Sequence, residues 1–82
     1  NPFNPTTTIE YCIPKDGRVD IKIFNIKGQI VRELSNEYQI AGKYKIIWDG
    51  TNKQGNSVTS GVYFYQVKFE KSIRCKRMIY IE

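Results

Sequence analysis

Apolar and polar residues alternate along this chain in short runs, each closed by a turn. Ile9, Tyr11 and Ile13 alternate with Glu10 and Cys12, and Pro14 ends the run. Lys15-Asp16-Gly17 reads as a turn, and Val19, Ile21 and Ile23 then alternate with Asp20 and Lys22. A period of two places one set of side chains on a buried face and the other in water, which predicts strands. Lys27-Gly28 predicts a hairpin turn leading into Gln29–Leu34. Ser35–Ala41 is polar enough to predict a loop, closed by Ala41-Gly42. Tyr44, Ile46 and Trp48 share one face of the next run, and the turn-rich stretch DGTNKQGN follows it. Val62–Glu70 carries aromatic residues on both faces, as a central strand does. Ile73–Ile81 is the last run.

About seven short strands with brief connections, and no stretch of helical period, predict an all-β fold. An immunoglobulin-like antiparallel β-sandwich is the simplest solution, because a single sheet would leave Trp48 and the tyrosines in water. The parity of the runs predicts a core of Trp48, Tyr11, Ile21, Ile23, Tyr44, Ile46, Tyr65 and Val67. A five-stranded OB-type barrel is the architectural competitor.

At 82 residues the chain is one small domain. Its 40% apolar and 26% charged residues are those of a folded chain. No apolar stretch approaches the roughly 20 residues of a membrane-spanning helix. The net charge of +5 is weighted toward the end, through Lys68, Lys71, Arg74, Lys76 and Arg77. Such residues either keep edge strands from aggregating or meet an acidic partner. The opening NPFNP fixes two φ angles and removes two backbone donors, as suits a stiff linker. Residues 1–6 are therefore expected to join a larger upstream part to a sandwich over residues 7–82, with Phe3 tucked against its rim.

Chemistry has little to work with. Histidine is absent, and no serine or cysteine stands beside a recognisable activating partner. No catalytic residue, metal ligand set or cofactor is therefore expected. DGTNKQGN offers oxygens from Asp49, Asn52, Gln54 and Asn56 but one charge, with Ser60 where a calcium loop would place its bidentate glutamate. The turn reading is preferred. Nucleic-acid binding is not expected, since Phe64 alone of the Val62–Glu70 aromatics is expected to face outward. Cys12 and Cys75 are either a bridge between the first and last strands or two free thiols.

The blocks NPFNPTTTIEYCIP, VDIKIFNIKGQIVREL, AGKYKIIWDGTNKQGNSVTSGVYFYQV and KRMIYIE together resemble the C-terminal sorting domain of type IX secretion cargo. More narrowly, they resemble the variant related to the immunoglobulin-like domain of the flagellar hook-capping protein. The family's leading Tyr-Pro is missing here, and the chain ends on Glu82 where a basic residue is usual.

The resemblance implies a non-catalytic module that addresses an attached cargo to the outer-membrane secretion machinery of a Gram-negative envelope. The cargo would pass through the periplasm and be secreted or held at the cell surface, with surface lipopolysaccharide as a partner after processing. Recognition is implied for Gly28 and Gln29, for Gly61, Val62 and Tyr63, and for Lys76, Arg77 and Met78. Read as plain structure, the glycines serve turns, and Tyr63 and Met78 belong to the core. The alternative function is an Ig-like spacer, hook-cap-like or touching glycan.

Overall fold

A computed structural model describes residues 6–81, so the expectations for Phe3 and the Asn-Pro pairs lie outside the described residues. Six strands follow in order: β1 (Thr7–Ile13), β2 (Gly17–Asn25), β3 (Ile30–Gln39), β4 (Gly42–Trp48), β5 (Gly61–Phe69) and β6 (Ser72–Tyr80). All pair antiparallel, in a two-stranded sheet β1–β4 and a four-stranded sheet β3–β2–β5–β6. Two open sheets face each other, which is the sandwich and not the barrel. The strands number six among the described residues, against about seven expected.

Alternation builds the core. Val19, Ile21 and Ile23 turn every second side chain of β2 inward and are fully buried. From the facing sheet, Ile9, Ile13 and Trp48 close over them. Trp48 sits among Ile9, Ile23, Tyr63 and Tyr80, with its ring centroid 5.3 Å from Tyr63 and 5.2 Å from Tyr80. These edge and tilted contacts add to the burial itself. Of the expected core, Trp48, Ile21 and Ile23 are fully buried, while Tyr11, Tyr44, Ile46, Tyr65 and Val67 pack around it half-buried.

One expectation is corrected, and one choice left open is decided. Ser35–Gln39 is not a loop but the second half of β3, paired with β2 through Ile21↔Ser35, Asp20↔Asn36 and Val19↔Glu37. Its polarity is that of an edge strand, whose register to β2 shifts between Ile21 and Lys22 and again between Ile23 and Phe24. Cys12 and Cys75 are free, exposed thiols. They lie in different sheets, Cys12 at the parity opposite buried Ile13 and Cys75 at the parity opposite buried Tyr80, so both face away from the core that separates them.

Candidate functional site

Register gathers the resemblance-derived residues at one end of the four-stranded sheet. Asn25, Tyr63 and Met78 form one cross-strand row; Phe24, Phe64 and Arg77 form the next; Ile23, Tyr65 and Lys76 the third. Gly61 and Val62 stand opposite Tyr80 and Ile79, and the Gly28-Gln29 turn caps the end of β2. Alternation then separates them by face. Tyr63 and Met78 point into the core, and the Tyr63 hydroxyl donates to the Thr59 carbonyl at 2.6 Å. Lys76 shares their parity but lies exposed, while Arg77 occupies the opposite face, also exposed.

The turn at Gly28 is built from its own side chains. The Asn25 Oδ1 accepts from the backbone N–H of Lys27 at 2.9 Å and of Gln29 at 3.0 Å. Gly28 donates to the Asn25 carbonyl at 3.0 Å with φ of +80°, a conformation that favours glycine. Residues 52–56 repeat the device. There the Asn52 Oδ1 accepts from Gln54 and Asn56, both at 3.0 Å, and Gly55 takes φ of +86°. The two turns adjoin, since the Lys53 N–H donates to the Val31 carbonyl at 3.0 Å. A shallow cleft between them is lined by Asn25, Gln29, Asn52, Gln54, Val58 and Tyr63. The spacing Asn-x-x-Gly in both segments was the legible signal for this pairing.

Two of the oxygens considered for calcium, those of Asp49 and Asn52, serve the backbone. Asp49 Oδ1 accepts from the Thr51 N–H at 3.1 Å and the Thr51 hydroxyl at 2.5 Å, and faces Arg32 at 3.4 Å. The Thr51 hydroxyl also accepts from Arg32, and the Thr51 carbonyl accepts from the Trp48 indole N–H at 2.9 Å. The Thr51 hydroxyl bond, helped by the Thr51 amide and Arg32 and opposed by desolvation, holds the Asp49 carboxyl below the usual carboxylate range. Gly50, between them, has φ of +77° and lies so close to the Tyr80 ring that a Cβ would stand 2.1 Å from its hydroxyl oxygen. Trp48-Asp49-Gly50-Thr51 is thus a lock between core and loop, whose role for Gly50 and Tyr80 the chain's pattern does not reveal.

A second groove runs between β3 and β4, where Tyr11 and Tyr44 stack at 5.4 Å. The Tyr11 hydroxyl donates to Gln39 at 2.8 Å and that of Tyr44 to the Ile40 carbonyl. Burial, with the nearby Tyr44 and Glu37, pushes the Tyr11 hydroxyl above its ordinary range despite the Gln39 bond. Among the described residues no group of three or more Cys, Asp or Glu is placed to hold a metal ion.

Two antiparallel sheets closing on one tryptophan define an Ig-like sandwich. The FlgD Ig-like domain family matches residues 6–72, most of the chain, and the chain belongs to that family. No curated protein matches it. Among solved structures, FlgD from Pseudomonas aeruginosa is 24% identical with a TM-score of 0.65, over 93% of this chain and 59% of that one. FlgD from Xanthomonas campestris, described for hook capping essential to flagellar assembly, is 22% identical with a TM-score of 0.71. It aligns over 94% of this chain and 56% of its own. At these identities the likeness shows the fold, and this chain spans less than two thirds of either structure.

Proposed function

We propose that this chain is a non-catalytic Ig-like module of the hook-cap kind, working by contact on behalf of a larger protein. The observation that carries the reading is the family match over residues 6–72. The loop after β4 supports it: the side chains of Asp49, Thr51 and Asn52, with the Trp48 indole, are spent on holding turns and the core lock. Such a module is a rigid spacer that presents its strand edges and turn tips to neighbouring subunits.

A second reading is favoured by the register. It brings Gly28, Gln29, Gly61, Val62, Tyr63, Lys76, Arg77 and Met78 to one end of one sheet. In that reading the module addresses an attached cargo to an outer-membrane type IX translocon. The cargo passes through the periplasm to the cell surface or beyond, with lipopolysaccharide as a later attachment partner.

One experiment separates the two. Residues 1–82 are fused to a periplasmic reporter in a type IX-competent host. A folded fusion that stays in the periplasm supports the structural module and sinks the address. A reporter at the cell surface supports the address and overturns a purely structural role. Export that survives Lys76→Glu with Arg77→Glu removes those two residues from the address and leaves the rest of it standing.

A further inference from the structure

The free edge of β6 differs from the other outer edge of its sheet. Among the described residues β6 pairs only with β5, through an unbroken register from Gly61↔Tyr80 to Phe69↔Ser72. Alternate residues of such a strand turn their backbone N–H and C=O away from the neighbour, here toward solvent. β3, at the opposite edge, is broken by two register shifts, which twist an edge away from pairing. β6 has no shift and no proline, and Ser72–Arg77 are exposed on both faces.

Its charge is unspent. The ion pairs among the described residues use Lys15, Lys22, Arg32 and Lys45, and none involves Lys68, Lys71, Arg74, Lys76 or Arg77. Arg74 and Lys76 share one face of β6, and Cys75 and Arg77 the other, with Ile73 and Ile79 exposed at 55% and 65% toward its ends. A polyanion lying on one face would meet only part of this charge. A strand lying in the plane of the sheet meets both faces at once.

We propose that β6 accepts, by strand addition, an extended acidic segment of a partner polypeptide. Its backbone completes the outward hydrogen bonds of β6, and its carboxylates stand opposite Arg74, Lys76 and Arg77. A second copy of β6 would set these cations against their like, so the same charges that favour an acidic strand disfavour self-pairing. The inference rests on the reading of the domain as an interaction module and names the chemistry of its partner.

The test titrates the 82-residue chain with a capped ten-residue peptide in which pairs of Glu alternate with pairs of Thr, so that carboxylates stand on both faces of the added strand. A second peptide of equal charge, with Pro replacing every second Thr, and heparin serve as comparisons. Binding and amide hydrogen exchange are read by NMR. The Glu-Thr peptide is expected to bind and to slow exchange at alternate amides of Ser72–Tyr80. Arg74→Glu with Lys76→Glu, both exposed and compatible with the fold, is expected to weaken it at least about tenfold, the equivalent of roughly 1.4 kcal/mol. The Pro peptide is expected to bind weakly or not at all. No binding, protection placed elsewhere, equal binding of the Pro peptide, or heparin binding that mimics the peptide each overturns the acceptor edge. The reporter assay reads the module independently, so either reading can fail alone.

Discussion

At the scale of single residues, the account turns on Trp48 and the three positions after it. Trp48 is fully buried between Ile9, Ile23, Tyr63 and Tyr80. Trp48→Ala is expected to cost about 3–5 kcal/mol in urea unfolding, comparable to the whole stability of a domain this size. Gly50→Ala combines a left-handed φ with a clash against the Tyr80 ring, and is expected to lose at least about 2 kcal/mol in the same assay. Asp49 gives a pH signature. Its folded pKa is depressed, so its contribution is present above the unfolded value of about 4 and is lost as pH falls through the folded value. Asp49→Asn is expected to flatten the loss of stability as pH falls below about 4, read as thermal midpoints against pH. Trp48 was legible from its place at the end of an alternating run. Gly50 and Tyr80 were not, because their contact joins positions thirty residues apart that no local pattern links.

At the scale of elements, alternation spelled out β2 and β5, since a strand paired on both sides declares itself by what it buries. It failed for the far half of β3. There Ser35, Asn36 and Glu37 are held by unbroken pairing to β2, but as polar residues of an edge strand, Asn36 and Glu37 exposed, they carry no apolar alternation to mark the strand in sequence. The matched turns at Asn25 and Asn52 each rest on an asparagine oxygen that accepts two backbone N–H groups. Asn25→Ala or Asn52→Ala is expected to cost about 1 kcal/mol in chemical denaturation and to raise amide exchange within its own turn. The β5–β6 connection holds Glu70 at φ of 54°, the one non-glycine among the described residues in the left-handed region. Glu70→Asn is expected to gain up to about 1 kcal/mol of stability, because asparagine tolerates that backbone better.

At the scale of the whole molecule, the fold class was readable because a small chain with one tryptophan and six tyrosines has few ways to cover them. Function was less readable, because the residues that resemble a recognition motif are also those a sandwich needs for its turns and core. Tyr63 shows the overlap: its ring lies in the core and its hydroxyl is spent on Thr59. Exposed charge and a regular edge coincide on β6. Six strands closing as one cooperative unit around a single indole are what a rigid module of the proposed kind requires. Equilibrium unfolding followed by tryptophan emission together with far-ultraviolet circular dichroism tests this most directly. The claim predicts blue-shifted native emission that moves red in one transition, coincident with loss of the strand signal. Native emission like that of free indole in water, or two separated transitions, would contradict it.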